Sequence, residues 1–172
     1  MELQNKISTG MLQLKNHDYG EARASFEQAV ALEPNDADAH AWLAATYGRL
    51  MEQGSMTDKM TLLPLLEREV AKALELSPKS VLAHRVNGLR LIHTPVEFGG
   101  SPEQCIVELT YVIDQGEKDA EIYYALGLAY METGQQEQAA DAFTRALELD
   151  PTHEAAGSEL AQLGKGIAHE LD

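Results

Sequence analysis

Residues 120–151 read AEIYYALGLAYMETGQQEQAADAFTRALELDP. Tyr123, Leu126, Gly127 and Tyr130 stand three, one and three apart, so they share one face of a helix. Ala139, Phe143 and Ala146 do the same on a second helix, and Pro151 closes it. Small residues such as Gly127, Ala139 and Ala146 let two helices approach closely, and large ones such as Tyr130 and Phe143 fill the space between successive pairs. The spacing therefore predicts an antiparallel helix pair over 120–132 and 136–149.

The same frame slides back along the chain. In a first copy Gly10, Ala22, Phe26, Ala29 and Pro34 stand where Gly127, Ala139, Phe143, Ala146 and Pro151 stand later. Its early positions, Lys6, Thr9 and Gln13, are polar, as suits an outermost repeat with no neighbour before it. A second copy carries Leu43, Ala44 and Tyr47, then Leu66, Val70, Ala73 and Pro78. His40 holds its first aromatic position, and Trp42 is displaced by two. A third copy carries His84, Asn87, Gly88 and Leu91, then Cys105, Leu109 and Val112, with Glu117 in place of the closing proline. Ten extra residues separate the helices of the second copy, and five those of the third.

This pattern closely resembles the tetratricopeptide repeat (TPR), over about nine-tenths of the chain. The resemblance implies an all-α fold, an α-α superhelix of about four helix pairs plus a C-terminal capping helix. One domain is expected over 1–172, with repeats at about 3–36, 37–80, 81–119 and 120–153 and a cap helix over 154–171. Helices are predicted at 2–15, 19–32, 37–52, 57–76, 80–93, 102–115, 120–132, 136–149 and 153–170. Asp18 and Ser101 are the expected N-caps, with Pro102 in the first turn behind Ser101.

The composition narrows the function. A net charge of −15 repels phosphate backbones and anionic membrane surfaces, so a nucleic-acid partner is not expected. No apolar run approaches the ~20 residues of a membrane helix, so membrane insertion is not expected either. Residues 1–6 show no basic stretch leading into an apolar one. That predicts a cytoplasmic protein, or a periplasmic one if a leader has been removed. With a single cysteine, Cys105, no disulfide can form within the chain. Cys105 falls at a small-residue position and reads as a buried spacer. The six histidines form no His-x-x-x-His or His-Glu-x-x-His pair, and no Gly-x-Ser-x-Gly motif occurs. Neither catalytic residues, nor a metal, nor a cofactor is expected, and the chain does not read as an enzyme. His40 and His84 share one repeat position and read as packing residues.

The two insertions are the places where this chain departs from the repeat. Met56, Met60, Leu62, Leu63 and Leu65 make the first one apolar. It either covers the neighbouring loop or forms an exposed lip for a partner or a second copy of the chain. Pro64 is expected to kink its helix or mark that helix's true start. The second insertion, HTPVEFGGSP at 93–102, is bracketed by prolines and holds paired glycines. It resembles a Pro-x-x-Phe-Gly-Gly loop of some bacterial TPR proteins, a likeness that carries no function. Phe98 is expected to plug this loop onto the core.

In the TPR family the first helix of each pair lines the concave side of the superhelix. Carried onto this sequence, the inward positions include Ile7, Met11 and Leu14 in the first repeat and Arg49 in the second. Leu82, Arg85, Leu89 and Ile92 follow in the third, and Tyr124, Leu128 and Met131 in the fourth. The lining is apolar and includes adaptable methionines. It suits a short amphipathic helix or an extended apolar peptide, or it is filled internally by the cap helix or the long insertion. Some relatives clamp the carboxylate tails of heat-shock chaperones with polar and cationic side chains. Here Ile7, Met11 and Leu82 stand at those positions, so that clamp is missing as a set. The resulting expectation is an interaction scaffold that holds a peptide or partner protein. The alternatives are homo-oligomeric assembly, or a transporter accessory protein holding a small apolar ligand.

Overall fold

The computed structural model describes the backbone of residues 1–170 and the side chains of residues 1–164. Among these residues all regular structure is helical. The order is α1 (Glu2–Lys15), α2 (Tyr19–Leu32), α3 (Ala37–Gln53), α4 (Met56–Leu76) and α5 (Val81–His93). After a single 3-10 turn (Val96–Phe98) come α6 (Pro102–Asp114), α7 (Ala120–Glu132), α8 (Gln136–Leu149) and α9 (Glu154–Glu170). The predicted helices are all present, and their ends agree within one residue. The C-terminal edge of the expected cap, Leu171, lies outside the described residues.

The close agreement has a local cause, because most helix starts carry their own cap. Asp36 accepts from the Ala39 amide at 2.7 Å, and Asp119 from the Ile122 amide at 2.9 Å. Ser101 accepts from the Gln104 amide, with Pro102 at the first helical position, as expected. Asp18 occupies the N-cap position of α2 but makes no side-chain capping bond. The turn between α1 and α2 bends at His17, with φ of 64°. The equivalent turn of the last repeat uses Gly134, with φ of 76°. Glycine adopts that left-handed conformation without strain, whereas histidine pays a steric penalty for it.

The chain forms two compact units, residues 1–87 and 88–172. In the first, α1 packs on α2, α3 on α4, and α2 on α3. Its core gathers Phe26, Leu43, Tyr47, Leu66 and Val70 around the small residues Ala22, Ala29, Ala39 and Ala44. Trp42, out of step with the repeat, stacks on Phe26 at 6.0 Å between centroids. In the second unit α6 packs on α7, α7 on α8, and α8 on α9. There Phe143, Ala139, Ala146 and Ala156 form a closed centre.

The repeat frame is visible as one recurring contact. A Cβ built on Gly10 would lie 2.6 Å from the Phe26 ring, and one on Gly127 would lie 2.4 Å from the Phe143 ring. One on Gly88 would lie 2.5 Å from Leu109. Each glycine is absent of side chain because the large residue of its partner helix occupies that space. The conserved geometry of these three pairs explains why the glycine and the large residue recur together in the sequence.

Both insertions depart in part from expectation. α4 starts at Met56, not at Pro64. Ser55 and Asp58 form a reciprocal capping box there, with the Ser55 amide donating to Asp58 at 2.8 Å. Pro64 lies inside α4 on its exposed side, where water can serve the carbonyl that its missing N–H leaves unpaired. The insertion divides by face. Leu62 and Leu66 join the core, while Met56 and Met60, one turn apart, are 72% and 65% exposed. Phe98 does not plug the second loop onto the core, because it is 62% exposed. Backbone hydrogen bonds and glycines shape that loop instead, so no inward aromatic is needed.

Candidate partner-binding surface

The first-helix face is built separately in each unit. In residues 1–87 Met11 is 43% exposed on α1. Leu14 and Leu82 are half-buried and pack against the first core cluster. Ile7, 7% exposed, belongs to that cluster. Arg49 is half-buried on α3 and pairs with Glu52 at 3.0 Å. Arg85 is half-buried on α5. In residues 88–172 Leu89 is half-buried and Ile92 is 9% exposed. Tyr124, Leu128 and Met131 on α7 are half-buried and rest on the Phe143 cluster. Tyr124, Leu128 and Met131 thus combine an anchored base with surface that solvent reaches, Leu89 is half-buried and Met11 exposed, while Ile7 and Ile92 are buried.

The cap helix reaches this face at Tyr124. The His153 ring lies 4.8 Å from the Tyr124 ring, centroid to centroid. Leu160 and Leu163 of α9 pack on the same cluster as Leu128 and Met131. Burial pushes the Tyr124 hydroxyl above its ordinary pKa, and the nearby Glu159 carboxylate pushes it further. Tyr124 therefore stays a neutral phenol, suited to stacking and hydrogen bonding.

Other polar features are accounted for by structure. His40 and Glu69, both buried, meet at 2.5 Å between Nδ1 and Oε2. His40 Nε2 donates to the Pro34 carbonyl at 2.9 Å, and Arg68 Nη2 donates to Glu69 Oε1 at 2.7 Å. His84 repeats the first of these bonds, with Nε2 3.0 Å from the Pro78 carbonyl. The two histidines thus tie each first helix to the proline turn before it, the shared packing role expected of them. Sequence reasoning missed Glu69, which lies 29 residues from His40. It also missed an open cleft of about 430 Å³ lined by Arg23, Leu50, Gln53, Gly54, Asp58, Thr61 and Leu62. That cleft lies at the end of the lengthened α3–α4 hairpin, whose helices have 17 and 21 residues against 14 and 14 in α1 and α2. Among the described residues no group of three His, Cys, Asp or Glu could hold a metal ion. No described helix is long and apolar enough to cross a membrane.

Cys105 is fully buried on α6, and burial, with lesser contributions from Glu108 and Glu132, pushes its thiol up to about 12. A thiolate-specific reagent is therefore expected to label the native chain far more slowly than the urea-unfolded chain at neutral pH. Rapid native labelling would contradict this burial. The sign of the linked pH effect follows. The unfolded thiol ionises from about 9.0 upward while the folded one holds its proton. The unfolded state then binds fewer protons, so this group's contribution to stability falls as pH rises from about 9 to about 12.

Comparison with known proteins follows the same lines. A family model described as tetratricopeptide repeat matches residues 120–153. A second, described as regulator of microtubule dynamics protein 1-3, matches residues 4–89, half of the chain. No curated protein sequence matches. Among solved structures, pilF of Pseudomonas aeruginosa is similar at 19% identity and a TM-score of 0.73, over 99% of this chain and 71% of that one. PilW, a widely conserved type IV pilus biogenesis factor, is similar at 22% identity and a TM-score of 0.71, over 98% and 71%. A MamA structure is similar at 20% identity and a TM-score of 0.66, over 98% and 85%. At these identities the structural likeness speaks for the fold. With the repeat frame, its recurring glycine contacts and the match over residues 4–89, the chain belongs to the tetratricopeptide-repeat proteins and, among them, to the family described as regulator of microtubule dynamics protein 1-3.

Proposed function

We propose that this protein is an adaptor that holds a peptide or partner segment against the first-helix faces of its repeats. The fold is that of a protein-interaction scaffold. The observation that carries the finer reading is the half-buried state of Leu89, Tyr124, Leu128 and Met131. The closed centre behind Tyr124, Leu128 and Met131, with Phe143 and Ala146 at 0% exposure, holds α7 and α8 together. These three α7 side chains rest on that centre from one side and offer their other side to solvent. An apolar surface that is anchored but uncovered loses little side-chain freedom when a partner lands on it.

The test is a paired substitution, Leu89→Glu with Leu128→Glu. Affinity capture from the native host with the unsubstituted chain should return specific partners, and the double variant should lose them. Helix content by circular dichroism should be unchanged, and the melting temperature should fall by only a few degrees. Partners retained in full by the double variant would defeat the proposal. A collapsed melting transition would place both residues in the core and remove the face.

A further inference from the structure

Backbone hydrogen bonds hold the loop between α5 and α6 in one shape. The Thr94 amide donates to Arg90 O at 3.0 Å, Phe98 to Pro95 O at 2.9 Å, and Gly100 to Pro95 O at 3.0 Å. The Ser101 amide reaches back to Leu91 O at 3.0 Å, and Arg90 Nη1 donates to Gly99 O at 3.3 Å. Gly99 has φ of 93°, and a Cβ on Gly100 would lie 1.8 Å from Thr94 O. Both glycines are therefore required. Thr94, Gly100 and Pro102 are buried. None of this involves the side chains of Val96 and Phe98, which are 66% and 62% exposed. The loop holds two apolar side chains in water on a rigid base, although polar residues would serve the loop equally well.

Charge indicates what they meet. Residues 88–172 contain 4 Lys and Arg against 16 Asp and Glu, so they carry twelve of the chain's fifteen net negative charges. Glu97 stands exposed between Val96 and Phe98, and exposed Glu103 follows in the first turn of α6. We infer that the Val96–Phe98 turn is a preformed docking hook for a cationic amphipathic segment of a partner protein. Phe98 and Val96 enter the apolar side of that segment, and Glu97 and Glu103 face its Lys or Arg residues. An aromatic anchor on a preordered loop loses little conformational freedom on binding, and opposite charge speeds the encounter. None of these residues belongs to a first helix, so failure of the hook leaves the adaptor reading standing, and the reverse holds as well.

The test uses the full chain, isotope-labelled for NMR, and synthetic helical peptides of about 18 residues, five turns. One peptide has Leu on one face and Lys on the other. A second replaces Lys by Glu, and a third replaces Leu by Ser. The Leu/Lys peptide should shift the amide signals of Val96–Gly100 and Glu103, and added salt should weaken it. Val96→Ser with Phe98→Ser should weaken it by about tenfold without altering the melting curve, because both side chains are exposed. The Ser/Lys peptide should bind more weakly and be indifferent to that substitution. The proposal fails if the shifts map elsewhere, if the double substitution leaves affinity unchanged, or if the Leu/Glu peptide binds equally well. Phe98-dependent sedimentation with neutral phosphatidylcholine vesicles, with no Leu/Lys peptide binding, would overturn it in favour of a lipid surface.

Discussion

Phe143→Ala should remove about 3–5 kcal/mol of stability, the largest single-residue loss we expect in residues 88–172. Phe143 is fully buried, and its ring fills the space directly over Gly127, which has no side chain to move into the gap. Tyr124 tilts against the same ring at 5.9 Å, and Ala139 and Ala146 flank it. The neighbours are small or already committed, so the cavity left by alanine cannot collapse far. Urea denaturation followed by circular dichroism would measure the loss. Hydrogen exchange would locate it, with the amides of α7 and α8 losing protection first. A cost below about 1 kcal/mol would mean that the glycine–aromatic contact is not what joins these two helices.

Glu69→Ala should cost about 2–3 kcal/mol, while Glu69→Gln should cost much less. Both ring nitrogens of His40 face oxygen acceptors, the Glu69 carboxylate and the Pro34 carbonyl. Alanine removes the carboxylate and leaves one buried ring nitrogen without a hydrogen-bond partner. Glutamine keeps an acceptor at the same place. Arg68, whose side chain is 65% exposed, contributes little here because water replaces its bonds. Denaturant midpoints of the two variants decide the point. Equal losses for alanine and glutamine would show that volume, and not the acceptor, is what His40 requires.

The two sites differ in how far they could be read in advance. Phe143 and Gly127 announce their contact because the same spacing recurs with Phe26 and Gly10, and recurs with Leu109 and Gly88 once the five inserted residues of the third repeat are taken out. Glu69 announces nothing, since no repeat position calls for an acid there. The candidate surface shows the same division. Its residues follow from counting along the repeat, but that count could not separate Ile7 and Ile92, which are buried, from Met11, which is open. Burial depends on what lies across from a side chain, and helix periodicity describes only one partner of that pair.

Helix number and helix ends were determined by the sequence itself, because caps, prolines and the 3.6-residue period act within a turn or two of where they stand. The repeat frame was determined there too, since small and large residues recur in the same order on successive helix pairs. Tertiary structure alone decided that Phe98 faces water, that Leu62 is buried while Met56 and Met60 stay open, and that His40 finds Glu69. Those outcomes depend on space, solvent access and counter-charge supplied by other elements of the fold, and no window of sequence contains them.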